Sequence, residues 1–548
     1  MRIIETDSLV IGAGLAGSAY ALHAAAEGLR VALLSAGAPL EANSDRAQGG
    51  IIFDTAGDCG TLAQDIDEAS EGTANPVAVQ QLIDDGPGAV RSLLIDTLGV
   101  DFDRKASGLL DFAREGGHRE RRIIHAKDTT GHAILEAVVR KVAATEGIAR
   151  YGGHVAVDLL TLSHNAADPS ARYEPLTCFG CYCLDVATGE VVAFIARKTV
   201  LATGGLGGIF QYTTNEPGSV GNGIAMAYRV GARLIDLEYV QFHPTVHMPA
   251  GARPFLISEA LRGEGAVITD GRGRRIMDGV HPMGSLAPRD VVARAIHRHL
   301  AASGEESAYL DLSALDPGFV RERFPAIHAH CLAHGLDIPR ERIPVVPAAH
   351  FSCGGVHTDI EGRTSVRNLN AIGETACTGL HGANRLASTS LLECLVGAQA
   401  TATADIRDMR DGRFVRPAPR EWRSPERQAD PLLIRQDLQL IQQTMWNYSG
   451  IIRSARRLAR ARRILLELRE DIQAFYRDCR PSRELIELRN AAQTALLVVH
   501  AATLNPTSKG CHYLDSGEDA PGTGNGPKST AGNESKAVHQ QPANPPNV

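Results

Sequence analysis

An α/β fold with a helical C-terminal part is the class this sequence predicts, and three observations predict it. Residues 8–28 read as an apolar strand, a glycine turn and an alanine-rich helix. Two more apolar strands run into glycine turns far downstream, at 198–205 and 368–374. From about residue 425 the pattern changes to long helical periodicity with few breakers.

The first strand and turn, "SLVIGAGLAG", are followed by "SAYALHAAAEG" and a second strand, "RVALLSAG". This is a Rossmann-like βαβ unit, with Gly12, Gly14 and Gly17 as G-x-G-x-x-G and Ala13, Leu15 and Ala16 between them. Such glycines let a pyrophosphate approach the N–H groups at the helix start. Ser35 stands at the end of the second strand, where a standard NAD site carries an acidic residue. The later junctions, "KTVLATGG" and "NLNAIGETACTGLHGANRLASTSLLE", imply one dinucleotide domain assembled from separated segments, 1–235 and 346–420. The interruption, 236–345, predicts an inserted α+β capping domain, and clefts between domains are preferred ligand sites. Residues 421–513 predict a helical bundle, and 514–548, rich in Gly, Pro, Ser and Asn, a disordered tail.

The 548 residues are long enough for several cores, and 44% hydrophobic with 22% charged is a globular balance. A net charge of −7 gives no reason to expect a nucleic-acid partner. The opening "MRIIETDSLVIGAG" lacks a signal pattern, and no long apolar run predicts a membrane span. A soluble, cytoplasmic protein with reduced thiols is the expectation. Cys178, Cys181 and Cys183 in "CFGCYC" lack a fourth ligand at metal spacing and read better as a strand with Cys181 and Cys183 on one face, so no metal is expected. The arginines of 453–463 alternate with Ile452, Ala455, Ala459 and Leu466, which predicts a packed helix with a solvated basic face.

Further motifs stand in order along the chain: "RAQGG" (46–50), "REGGH" and "RIIHAKDTTG" (114–131), "ATGG" (202–205), "QFHPT" (241–245) and "SEALRGEG" (258–265). "LAPRD" (286–290), "PAAHFSCGG" (347–355) and "HGANRLASTSLLE" (381–393) complete the set. With these the chain resembles the succinate dehydrogenase and fumarate reductase flavoprotein superfamily, and within it the L-aspartate oxidases. The resemblance implies FAD. Members with covalent flavin carry a histidine seven residues before the second glycine of "AQGG"; Asn43 stands there, which implies noncovalent FAD.

By the same resemblance Asn43, Ser44, Asp45, Arg46, Ala47, Gln48, Gly49 and Gly50 wrap the flavin, Glu374 reaches a ribose, and Ser390 and Leu391 approach the ring system. Asn222, where the family usually has aspartate, and Ala36, where lysine is common, are departures expected to weaken single cofactor contacts. His243, His350 and Arg385 are implied to hold the substrate carboxylates, helped by Gln241, Ser258 and Glu259, with Ser258 in place of a commoner threonine. Arginine suits this because its planar fork meets a carboxylate with two hydrogen bonds. Arg289 matches the proton-transfer arginine; its plainer reading is a salt bridge to Asp290 or Glu264.

The implied reaction is oxidation of L-aspartate to iminosuccinate, with hydride passing to FAD N5, oxygen or fumarate as acceptor, and quinolinate synthase as consumer of the product in NAD biosynthesis. The nearest alternative is a soluble fumarate reductase or succinate dehydrogenase flavoprotein subunit; a non-catalytic flavin-binding protein is a third. Glu115 in "AREGGH" discriminates, because the dicarboxylate enzymes are normally apolar there. An acidic loop residue usually faces water. With aspartate bound, its ammonium needs an anionic partner, and Gly116 and Gly117 are expected to leave room for the ligand.

Overall fold

The computed structural model describes residues 1–53, 59–249, 251–411 and 416–515. The first sheet is built on parallel strands in the spatial order Ile148–Gly152, Val31–Ser35, Ile3–Ile11, Glu190–Leu201 and Leu369–Ala371. Cys178–Asp185 and His154–Thr161 extend it antiparallel. Strands from three distant parts of the chain therefore end side by side, with Ile11 opposite Leu201 and Leu201 opposite Ala371. At that edge the turn must lie against its neighbour. A β-carbon on Gly12 (φ +112°) would stand 2.1 Å from the Ala202 carbonyl oxygen, and one on Gly17 2.0 Å from the Gly12 oxygen. Glycine at both places lets strand, turn and helix Leu15–Ala26 close up. That helix packs on Ser390–Asp411, which follows the third glycine junction.

The inserted unit is α+β, as expected. Its sheet runs Phe255–Leu256, Val240–His247, Ile343–Ser352, Ala308–Asp311, Val267–Thr269. Helices Arg289–Ser303, Pro317–Arg323 and Pro325–Ala333 accompany it, and Ile257, Leu261, Ile268, Val292, Ile296 and Phe324 belong to its own apolar core. Strand Ile343–Ser352 crosses positions 345/346, so the unit returns to the dinucleotide domain on a continuous strand rather than through a loop. Its pairing sets Phe351 opposite Gln241 and Ala348 opposite His243, which brings His350 beside His243.

Helices Pro431–Ser449, Ala455–Asp478 and Arg483–Leu504 pack on one another as a C-terminal bundle. The buried stripe of the middle helix is Leu458, Ala461, Leu465, Leu468 and Ile472. Ala455 and Ala459 face solvent, which corrects the packed face read from the sequence. The reason is a tertiary contact: the helix starts after Ser454, and Arg453, read as part of a solvated face, is fully buried. Its guanidinium donates to the Glu238 carbonyl (2.8 Å) and meets His512 Nδ1 (2.7 Å).

Cys178, Cys181 and Cys183 all lie in the core, Gly180 (φ +144°) having shifted the register between them. Burial pushes the Cys178 thiol up to about 11 and the Cys181 and Cys183 thiols higher still. Among the described residues no helix is long and apolar enough to cross a membrane. The tail expected at 514–548 lies, from 516 onward, outside the described residues.

Candidate active site

The sheet's glycine junctions and the inserted unit enclose a cavity of about 560 Å³. One part of its wall is the dinucleotide edge: Gly12, Ala13, Gly14, Leu15 and Ala16, then Ser35 and Ala36, then Asn43, Ser44, Arg46, Ala47, Gln48, Gly49 and Gly50. Asn222, Glu374, Ser390 and Leu391 line it as well. Three residues of the expected set do not reach the cavity wall: Gly17, Asp45 and Gln241. Gly17 serves helix packing, and Asp45 turns away to His132 Nδ1 at 2.9 Å.

This wall fits a dinucleotide on the chemistry of its own atoms. Helix Leu15–Ala26 begins at Gly14, which has no side chain to cap it; Leu15 N reaches Ser44 Oγ at 3.3 Å, and no acidic residue stands in the first turn, which suits an anionic group. Gln48 Oε1 is buried with no hydrogen-bond partner among the described residues, an acceptor aimed at a ligand donor. Asn43 is engaged at both ends: its Nδ2 donates to Ser219 Oγ (3.1 Å) and its Oδ1 accepts from Glu216 N (2.8 Å). Glu374 Oε1 accepts from Ser352 N (3.0 Å), and burial pushes its carboxyl up to about 7. Asn222 is likewise held by the protein, donating to the Gly218 carbonyl and accepting from Asn490 Nδ2 at 2.8 Å. An aspartate there would keep the bond from Asn490 and give up the one to Gly218. Beside Ala36, Arg483 of the C-terminal bundle reaches the Ala36 carbonyl (3.3 Å).

The remaining wall is cationic and buried. Arg289 sits at the start of helix Arg289–Ser303; its Nε donates to Glu259 Oε2 (2.7 Å) and an Nη to Gln241 Oε1 (2.9 Å). Its partner is thus Glu259, not Asp290 or Glu264. Glu259 Oε1 accepts from Arg262 (2.7 Å), and Arg262 also donates to the Ser285 carbonyl (2.6 Å). Burial alone would raise the Glu259 carboxyl, but Arg289 and Arg262 outweigh it and hold the carboxyl below its ordinary range. Glu259 therefore spends its charge on two arginines.

Arg385 lies 4.4 Å over the Phe351 ring, donates to Ser390 Oγ (2.8 Å) and leans on His350 Nε2 (3.3 Å). Burial, then Arg289, lowers it to about 10. Thr214 Oγ1 holds His350 Nδ1 at 2.8 Å. His243 Nδ1 accepts from Thr245 N (3.3 Å), which leaves Nε2 as its donor. Burial and the surrounding arginines hold both histidines well below the usual value, so they are neutral. Ser258 Oγ accepts from Ala260 N (3.2 Å), which leaves its hydroxyl proton free to donate.

Glu115 is 4% exposed and lines the same cavity. Burial, then the Glu259 carboxylate, pushes its carboxyl up; Ser388, Arg289 and Arg385 pull it back only in part. The glycines beside it do not make room for a ligand as expected. A β-carbon at Gly116 would meet Glu259 Oε1 at 2.5 Å, and one at Gly117 would meet Leu386 at 2.8 Å. The tighter approach comes from Gly49, where a β-carbon would stand 1.9 Å from Glu115 Oε1. Protein side chains fill the space, and the Glu115 carboxylate is the group that reaches the cavity.

Three residues go unassigned in the sequence reading although they stand inside its motifs. Arg262 completes the chain Arg289–Glu259–Arg262. Asn384 fixes Gln241: its Oδ1 accepts from Gln241 Nε2 (2.7 Å), and its Nδ2 donates to Asp290 (3.1 Å) and the Ala69 carbonyl (3.1 Å). Ser388 Oγ donates to Glu115 Oε2 at 2.5 Å. Residue type alone carries no signal for such partners, because the bonds span from 3 to 315 positions of chain.

Known proteins agree with this geometry. The FAD binding domain family matches residues 7–391. An L-aspartate oxidase of Ralstonia nicotianae is 43% identical over 92% of this chain and 94% of its own length. One of Pseudomonas aeruginosa is 41% identical, covering 93% and 95%. Among solved structures, an E. coli quinol fumarate reductase superposes with a TM-score of 0.82 at 26% identity, covering 94% of this chain and 92% of that one. With an FAD-compatible dinucleotide wall joined to a buried cationic pocket, and relatives of this similarity along nearly its whole length, the chain belongs to the L-aspartate oxidase family of FAD-dependent flavoproteins.

Proposed function

We propose that the protein oxidises L-aspartate to iminosuccinate, with oxygen or fumarate as electron acceptor. The observation that carries this reading is charge: Arg289 and Arg385 are buried in the wall of a pocket that Glu115 also lines, with Arg262 buried behind Glu259. A buried excess of guanidinium calls for an anionic ligand, and a buried carboxylate with little compensation calls for a cationic group. Aspartate is a dicarboxylate with an ammonium.

FAD, when bound, supplies the two-electron acceptor. Gly12–Ala16, the 43–50 loop, Asn222, Glu374, Ser390 and Leu391 are the residues to hold it, noncovalently at Asn43. In the substrate pocket Arg385, steadied by His350 Nε2, takes one carboxylate, and His243 Nε2 and the Ser258 hydroxyl donate to the other. Glu115 receives the ammonium, which fixes the face that Cα presents. Oxidation to the imine releases a proton, and Arg289, hydrogen-bonded through Nε to the Glu259 carboxylate, is the group to pass it to Glu259, whose charge Arg262 balances. Gln241 orients Arg289 from behind rather than touching substrate. An arginine can act in this way only where water is excluded, and the pocket side chains are almost wholly buried. Catalysis is then positioning plus a pre-set field.

The unstable imine product suits direct use by quinolinate synthase in NAD biosynthesis. The unpaired cysteines of the described residues suit a cytoplasmic setting. Anaerobic addition of L-aspartate to the yellow protein tests the assignment. The flavin should bleach with aspartate and not with succinate; bleaching by succinate alone would make the protein a dicarboxylate dehydrogenase instead.

A further inference from the structure

We propose that Ser388 is a specificity-determining residue, its hydroxyl holding the Glu115 carboxylate where the substrate ammonium must meet it. Ser388 can do this only if Glu115 receives the ammonium as proposed above.

Two independent features single Ser388 out. Its backbone is left-handed, φ +59°, a conformation glycine adopts freely and serine does not. It is also buried, in the cavity wall. A strained residue of this kind persists only where its surroundings over-determine it. Here they do: Thr389 Oγ1 donates to the Leu386 carbonyl (2.8 Å), and His118 Nε2 meets the Ala387 carbonyl (3.0 Å). The loop is tied down on either side without help from the Ser388 hydroxyl, whose one side-chain partner among the described residues is Glu115 Oε2 at 2.5 Å. The backbone of Gly49 closes on the other oxygen, Oε1. The carboxylate is thereby clamped in one orientation.

The clamp matters for charge as well as position. Burial and Glu259 favour the neutral carboxylic acid, which could not pair with an ammonium. The Ser388 hydroxyl favours the ionised form. Removing it frees the carboxylate to turn and raises the pH at which it ionises. Binding of a dicarboxylate without an amine uses neither effect.

The test compares Ser388→Gly and Glu115→Gln in the FAD-loaded enzyme. Three readouts serve: aspartate KM with the pH dependence of kcat/KM, fumarate reduction by a reduced dye, and thermal melting. Glycine suits φ +59°, so Ser388→Gly should melt no lower than the parent. Its aspartate KM should rise roughly tenfold, the scale of losing a hydrogen bond to a charged group. The acid limb for aspartate should move to higher pH, and the KM for fumarate should change far less. An unchanged aspartate KM and acid limb in Ser388→Gly, with Glu115→Gln impaired, overturns the assignment of Ser388 alone. An unchanged aspartate KM in Glu115→Gln overturns the reading of Glu115 itself. Equal loss for aspartate and fumarate in Ser388→Gly makes the hydroxyl a structural tie and also overturns the proposal.

Discussion

Replacing Glu115 by glutamine should weaken aspartate binding and strengthen the fold at once. Glutamine keeps the shape and an oxygen to accept from Ser388, so the perturbation is the charge. The carboxylate is buried and, among the described residues, has no arginine hydrogen-bonded to it: Arg289 is engaged with Glu259 and Gln241, and Arg385 with Ser390 and His350. Its attraction for a desolvated ammonium is therefore a charge-assisted hydrogen bond with little competition, on the order of 1.5–3 kcal/mol. That corresponds to a rise in aspartate KM of roughly 10- to 150-fold. Stability moves the other way. The folded protein raises the pKa of this acid, so it binds the proton more tightly folded than unfolded. The two states bind protons equally well below the ordinary carboxylate value; above it the ionised form increasingly destabilises the fold. Glu115→Gln should accordingly melt higher near pH 8 in the absence of substrate. Steady-state kinetics with aspartate and with fumarate, together with melting curves, measure both effects. A parallel rise in both KM values, or a lower melting temperature, would refute the reasoning and make Glu115 part of the loop's structure.

Two other perturbations bear on the same pocket, and a third on the acid stability of the fold. Glu259→Gln leaves Arg262 and Arg289 without their shared carboxylate, and kcat should drop about a hundredfold or more with a smaller change in KM; matching the parent kcat in stopped-flow flavin reduction and reoxidation would exclude a proton path through Glu259. Asn384→Ala removes one of the two acceptors that hold the Gln241 NH₂, the Arg385 carbonyl (2.8 Å) being the other, and so loosens the amide that fixes Arg289; kcat should drop while aspartate binding, followed by flavin absorbance, holds, and lost binding with intact kcat would contradict this. Burial lowers His118, His330 and His512 to about 4, so the unfolded chain takes up their protons first as pH falls. Stability should decline from about pH 6.5 toward pH 4, and a melting temperature flat across that window would count against these burials.

The sequence by itself determined the dinucleotide edge. Gly12, Gly14 and Gly17 sit within six positions, and backbone geometry makes them nearly sufficient for the turn they form. The spacing of the glycine junctions likewise marked the inserted unit, and periodicity the C-terminal helices, because a hydrophobic repeat is a local property. Motif order along the chain carried the family resemblance and named the pocket arginines and histidines.

The tertiary structure alone decided how those groups divide the work. The sequence offered Arg289 to Asp290 or Glu264 and set Gln241 and Glu259 on the substrate; packing pairs Arg289 with Glu259 and turns Gln241 inward against Asn384. It buries Arg453, which composition places on a solvated face, because a segment some 60 residues away folds back over it. Glu115 shows the limit most plainly. Its burial comes from Gly49, Glu259 and Ser388, residues 66 to 273 positions away that nothing in "AREGGH" encodes. Charge balance in a dry pocket is a sum over neighbours in space, and only the fold sets who those neighbours are.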